Sequence, residues 1–228
     1  MTFLELVKRL RSEAGGSGTG PSAVTGQSGE SLRFVNWINT AWQDIQNDQT
    51  EWRFMRFGFT LNTVANVDNY AYTSCTDTTT AVTIANFDHW VRDSFLLYTV
   101  SLADQLELID LPYDDWRQLY RTRPQVANRP TNSTILPNNN IGIGPKPAGI
   151  YVVSGDYYRS ASLMVNDGDI PTIPSHFHMT IIWKALMYYA AFEEAGSLYA
   201  TAEKNFNMAY SALLRNQLPM IETAGPLA

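Results

Sequence analysis

The chain has 228 residues, 16 basic against 22 acidic, for a formal net charge of −6, with 45% hydrophobic, 12% aromatic and 17% charged residues. That length buries a core without disulfides or metal, and one cysteine, Cys75, excludes a disulfide framework and a cysteine-based zinc site and fits a reducing compartment. No cluster of Lys and Arg is present to neutralise phosphates, which argues against a dedicated DNA-gripping surface, and no apolar stretch is long enough to span a bilayer.

Thr2-Phe3-Leu4-Glu5 has the spacing of a capping box, and Phe3, Leu6, Val7 and Leu10 then line one face of a short amphipathic helix ending near Ser12. No basic segment followed by an apolar run opens the chain, so no secretory signal is expected. Residues 14–29 form a Gly- and Ser-rich connection; it lacks the Gly-Lys-Ser/Thr ending of a phosphate-binding loop. From Glu30 to about Asp48, Leu32, Val35, Ile38, Trp42 and Ile45 fall at helical steps, widened by Phe34, Trp37 and Ala41. A helix apolar on more than one side is sandwiched between neighbours.

At Trp52 the period becomes strand-like. The segment 52–61, the aromatic and β-branched residues on to Val82-Thr83-Ile84, Asp93 to Thr99 and Gln105 to Ile109 read as strands, with turns at Asn66 to Asn69 and Asn86 to Asp88. Pro112 to Tyr120 restarts a helix with Asp114 and Asp115 in its first turn. Arg123 to Pro147, with five prolines and Asn138, Asn139 and Asn140, reads as an exposed extended connection with little core. Ile141 to Ile143, Ile150 to Val153 and Tyr157 to Ser160 read as short strands, with turns at Gly155-Asp156 and Asp167-Gly168-Asp169.

Pro174 to Pro219 reads as two helices folded back on each other and is the expected core. Ser175 caps the first, which carries Phe177, Ile181, Ile182, Ala185, Tyr188, Tyr189 and Phe192 and ends at Gly196; the second starts at Ser197 with Leu198, Ala202, Phe206, Ala209 and Leu213 on one face. The expected fold class is mainly α with β insertions, α+β: an antiparallel helical bundle from 1–50 and 174–219, a β-rich insertion at 51–110, a helix, extended loop and short strands at 111–173, and an extended C-terminal tail at 220–228.

No catalytic constellation emerges. His176 and His178 alternate as in some metal sites, but residues two apart on a helix diverge by roughly 200° and no third ligand follows, so they read as helix N-terminal residues bonding locally. His89 reads as a packed turn residue, and no Gly-x-Ser-x-Gly elbow is present. The carboxylate pairs Asp114/Asp115, Glu193/Glu194 and Asp167/Asp169 cannot face each other across a cleft as a glycosidase requires, and read as solvated faces, caps and turns. No cofactor or metal is expected. Exposed aromatics of the β insertion offer stacking faces for sugars, so the alternative reading is a carbohydrate-binding or glycan-degrading tail-associated protein.

Thr2 to Leu10, the Gly-Gly-Ser-Gly region, Gln27-Ser28-Gly29-Glu30, Trp37 to Gln46, Trp52 to Arg56, Pro145-Lys146-Pro147, Tyr157-Tyr158-Arg159, Asp169 to Pro174 and the Phe192 to Gly196 turn together resemble the adaptor, or head-to-tail connector, proteins of tailed bacteriophages. The resemblance implies a structural virion protein rather than an enzyme. It implies a twelvefold homo-oligomeric ring under the portal protein, in the neck between capsid and tail, after assembly in the host cytoplasm. That ring attaches the tail or nozzle protein and continues the channel for genomic DNA, which passes without specific binding, and no membrane is involved. Within that reading Leu218, Pro219, Met220, Ile221 and Leu227 are expected to dock on the portal, and Trp52, Phe54, Tyr70, Tyr72 and Trp90 to meet neighbouring subunits or the tail.

Overall fold

The computed structural model describes residues 1–99 and 102–218. The described chain is an α+β protein of five helices and two sheets, organised as two compact units, residues 1–55 with 161–228 and residues 56–160.

The first unit is helical. Helix α1 (Phe3–Glu13) opens on the expected capping box: the Glu5 amide donates to Thr2 Oγ1 (3.3 Å) and the Thr2 amide to Glu5 Oε2 (2.8 Å). Phe3, Leu6, Val7 and Leu10 are its buried face, as the spacing requires. Helix α2 (Gly29–Asp48) buries Phe34, Val35, Ile38, Ala41, Trp42 and Ile45, and Trp52 lies fully buried with its indole N–H donating to Ile45 O (2.9 Å). Helices α4 (His178–Phe192) and α5 (Gly196–Gln217) pack along each other, and α4 also packs on α1 and α2. Helix α4 is the most enclosed, burying Ile181, Ile182, Ala185, Leu186 and Ala190, whereas α5 buries only Ala202, Leu213 and Gln217.

The helix boundaries differ from expectation for local reasons. Ser175 does not cap α4, because Ser175–Phe177 forms a 3-10 turn after Pro174 and the helix starts at His178. Helix α4 ends at Phe192 rather than at Gly196; Glu194 takes the left-handed conformation (φ 54°) that reverses the chain, and Gly196 is the first residue of α5.

The second unit holds both sheets and the short helix α3 (Tyr113–Tyr120). One sheet has the order β3 (Thr76–Asp77), β1 (Arg56–Asn62), β10 (Val152–Arg159), β5 (Leu96–Tyr98), β6 (Leu106–Glu107), with β4 (Phe87–Trp90) also paired to β10. The other runs β2 (Asn69–Tyr70), β9 (Ile141–Gly144), β8 (Asn132–Ile135), β7 (Ile109–Asp110). Both sheets contribute to one core that includes Phe59, Leu61, Tyr70, Trp90, Phe95, Leu97, Ile141, Ile143, Val153 and Tyr157. The helical hairpin is therefore not the sole core of the protein.

Two further expectations are corrected in this unit. Gly155-Asp156 is not a turn but the middle of β10, where Gly155 stands opposite Phe59 and Asp156 opposite Gly58. A Cβ at Gly155 would come within 2.6 Å of the Phe95 ring and 3.0 Å of the Phe59 ring, so glycine is required by close packing, not by reversal of the chain. Asp156 points to solvent and accepts from Arg56 Nε (2.9 Å) and Nη2 (2.6 Å). The Pro- and Asn-rich stretch 123–147 is likewise not a coreless connection. It supplies β8 and β9, with Ser133, Thr134, Ile141 and Ile143 buried.

Candidate functional site

In the helical unit, segment 161–174 is latched to α2 by side-chain amides that act as backbone surrogates. Asn39 donates to Met164 O (3.0 Å) and accepts from Met164 N–H (3.1 Å). Gln46, seven residues on and therefore on the same helix face, donates to Ser162 O (3.0 Å) and accepts from Ser162 N–H (3.1 Å). The buried Gln46 breaks an otherwise apolar stripe, and that break was the available sequence signal for this latch.

The Asp167-Gly168-Asp169 turn is structural. Its carbonyls accept the α1 amides of Phe3 (2.7 Å, from Asp169 O) and Leu4 (3.2 Å, from Asp167 O), satisfying donors that a helix start leaves open. Asp167 Oδ1 accepts the Val24 amide (2.6 Å), pinning the Gly-rich connection. Asp169 Oδ2 accepts the amides of Asn166 (2.8 Å) and Val165 (2.6 Å), which hold its carboxyl below the usual range.

In this segment Leu163, Val165 and Ile170 are exposed, and Leu163 and Ile170 line a cleft of about 210 Å³ with Trp42, Met164 and Pro171. Phe192 on α4 and Tyr199 and Met208 on α5 are further exposed apolar side chains, the last two on opposite faces of their helix. A cleft of about 340 Å³ lies among α2, α4 and α5, lined by Asp44, Asp48, Lys184, Phe206 and Tyr210. Burial and hydrogen bonds to Asp44 and Asp48 raise the Tyr188 and Tyr210 hydroxyls above their ordinary range, so both stay protonated donors.

In the β unit the dominant polar feature is buried. Asp77 Oδ1 accepts the Thr79 and Thr80 amides (both 2.8 Å), while Oδ2 accepts from Tyr157 Oη (2.5 Å) and Arg159 Nη2 (2.6 Å). The Arg159 guanidinium also lies 3.7 Å from the centre of the Phe57 ring. Burial alone would raise the Asp77 pKa; the bonds from Tyr157, the Thr80 amide, Arg159 and the Thr79 amide overcome it and hold the carboxyl well below its ordinary value. The Tyr157 hydroxyl is pushed up to about 12 by burial and by its bond to Asp77. This network fixes a turn and a strand pair and faces no cleft described above.

His178 and His89 make hydrogen bonds, whereas His176, in the 3-10 turn, packs its ring on Phe177 with centroids 4.1 Å apart. His178 is buried and bridges Ile173 O (3.1 Å, at Nε2) and the Met1 amino group (2.6 Å, at Nδ1), an arrangement of the neutral ring; burial, then the nearby amino group, lower its pKa. His89 lies in β4 rather than in a turn, stacked on Tyr158 with centroids 4.8 Å apart. Burial pushes the Cys75 thiol up to about 12, leaving it unreactive at neutral pH. Among the described residues no group of three or more His, Cys, Asp or Glu is placed to hold a metal ion, and no helix is long and apolar enough to cross a membrane.

The residues expected to make contacts fall in different surroundings. Trp52 is buried in the helical unit, and Phe54, half-buried, stacks on it with centroids 5.2 Å apart. Tyr70 and Trp90 are buried in the β unit. The Tyr70 hydroxyl accepts the Val64 amide (2.9 Å) and donates to Val67 O (2.8 Å), and the Trp90 indole donates to Asn139 O (2.7 Å). Tyr72 alone of the five is exposed, stacked on Phe87 at 4.8 Å. Leu218 closes α5, its amide donating to Leu214 O (3.0 Å); Pro219, Met220, Ile221 and Leu227 lie outside the described residues.

What the described chain offers is surface: two units with separate cores, each carrying exposed apolar side chains and open strand or helix faces. The chain belongs to the SU10 adaptor protein family, whose model matches residues 1–228. No curated protein matches it. Membership gives it the role of a phage adaptor, a structural, non-enzymatic protein of the virion that associates with other virion proteins.

Proposed function

We propose that this adaptor forms a twelvefold ring beneath the portal protein in the virion neck, where it attaches the tail or nozzle protein and continues the channel through which genomic DNA passes without specific binding. The observation that carries this reading is the family match over the full chain. A cyclic ring needs two different, complementary patches on every subunit. The helical unit exposes Phe192, Tyr199 and Met208, and the β unit exposes Val64, Val67, Val82 and Ile109, so each unit offers apolar side chains for such contacts. The strands β6 and β7 end their sheets, and their outer edges offer backbone groups to a further strand.

In this reading Tyr72 and Phe54 meet neighbouring subunits or the tail directly, while Trp52, Tyr70 and Trp90 support those surfaces from within. The helix α5 delivers Leu218, Pro219, Met220, Ile221 and Leu227 to the portal. Deleting Met220 to Ala228 is expected to weaken portal binding while the far-ultraviolet circular dichroism stays helical; unchanged binding would remove this role for the tail. The glycan reading has less support, because Tyr72 is the one large exposed aromatic of the β unit among the described residues and one of its faces is covered by Phe87.

A further inference from the structure

In the β unit the last residue of α3, the loop after it, Asp68 before β2 and Lys146 after β9 line an open polar cleft of about 450 Å³, whose lining includes Asp68, Tyr120, Arg121, Arg123, Gln125 and Lys146. We infer that this cleft is an oxyanion site that takes a phosphate group. In a chain of net charge −6 it gathers three cations against one carboxylate. Asp68 lies 3.6 Å from Arg121, a loose pair. The C-terminus of α3, which ends at Tyr120, adds about half a negative charge. Those two terms together offset Arg121 and part of one further charge, so a surplus of roughly 1.5 positive charges remains, on Arg123 and Lys146. Neither of these has a carboxylate in ion-pair range among the described residues.

The two arms are held at fixed spacing. The Gln125 side chain accepts the Lys146 amide (3.0 Å) and donates to Tyr120 O, so it ties the loop after α3 to the segment after β9. The Asn128 amide donates to Lys146 O (2.9 Å), and the Ala148 amide to Asn128 O (3.0 Å). The Tyr120 hydroxyl is itself anchored on Asn132 Oδ1 (2.7 Å), and the Arg121 guanidinium sits 5.2 Å from the Trp116 ring centre. Arg123 precedes Pro124, whose ring fixes φ and stiffens the loop. The laced backbone fixes where the two cationic side chains start, so binding has only their rotamers left to order. Arginine and lysine together supply planar and point-charge donors to phosphate oxygens.

The site is independent of the ring and portal reading. The test is a titration of the full chain with inorganic phosphate at constant ionic strength, followed by amide nuclear magnetic resonance, with chloride as control and the double variant R123Q/K146Q in parallel. Saturable shifts confined to the surroundings of Arg121 to Gln125, Lys146 and Asp68, absent with chloride and weakened about tenfold or more in the variant, are expected. Linear shifts, or the same saturation in a variant of unchanged thermal stability, would overturn the site. A short DNA duplex added to the phosphate-bound protein separates the sources. Displacement of phosphate from the same residues assigns a phosphodiester, whereas its retention assigns a free anion.

Discussion

Replacing Asp77 by Ala is expected to destabilise the β unit by about 2–4 kcal/mol, because it leaves the buried Tyr157 hydroxyl and two turn amides, and the half-buried Arg159 guanidinium, without their acceptor. Asp77 is fully buried and receives four hydrogen bonds, two from the amides of its own turn and two from β10. Asp77→Asn keeps the shape and one acceptor but loses the charge facing Arg159, so it is expected to fall between wild type and Asp77→Ala. The same network predicts a pH dependence. The folded-state pKa of Asp77 is lowered, so its contribution is fully present above the unfolded value of about 3.9 and is lost as pH falls below it. Urea melts at neutral pH and near pH 3 check both points: the gap between wild type and Asp77→Asn should shrink in acid. A pH-independent gap would mean that the charge of Asp77 does not matter to the fold.

Trp52→Ala is expected to cost about 3–5 kcal/mol in the isolated chain, through the cavity left by a fully enclosed indole. The lost bond to Ile45 O adds to it, as does the lost packing on Phe54 and Tyr210, whose rings lie 5.2 and 6.2 Å away. Thermal melting of the free protein reads this directly. If melting were unchanged and only assembly suffered, Trp52 would be acting at an interface rather than in the core. Tyr72→Ala is the contrast: exposed, and stacked only on Phe87, it should leave the melt nearly unchanged.

How far the fold could be read ahead depended on whether its signals were local. The α1 capping box and face, the α2 stripe and the entry of α3 at Pro112 are set by residues within a turn or two, and they stand where the spacing put them. Strand β10 was legible only at its two ends, Val152-Val153 and Tyr157 to Arg159, because Gly155-Asp156 between them carries a turn's composition. Only the distant Phe59 and Phe95 rings explain why a glycine sits in mid-strand. Segment 123–147 misleads for the same reason. Ile141 to Ile143 was legible as a strand and stands as β9, but its partner β8 was hidden by the flanking Pro130 and Pro137 and the polar Asn132-Ser133-Thr134, and Gly142 and Gly144 serve to accommodate the Trp116 and Tyr120 rings.

The candidate surfaces divide in the same way. That Asp167 and Asp169 belong to a turn was legible; that the turn caps α1 and holds Val24 was not, since those partners are more than 140 residues away in sequence. Aromatic composition marked Trp52, Tyr70 and Trp90 as candidates for contact, but composition does not distinguish a face turned outward from one turned into a core. The cleft of Arg121, Arg123 and Lys146 was invisible as a charge run, because Gln125 and the strand pairing bring Lys146 to the arginines only in the folded chain.

An adaptor that forms its ring on the portal must add a fixed number of copies to it. The most direct measurement is the mass, by light scattering, of the complex formed when the purified protein is mixed with its portal ring, with the protein alone as control. Twelve copies added per portal ring is the predicted result. A protein that stays apart from the portal at every ratio would contradict it.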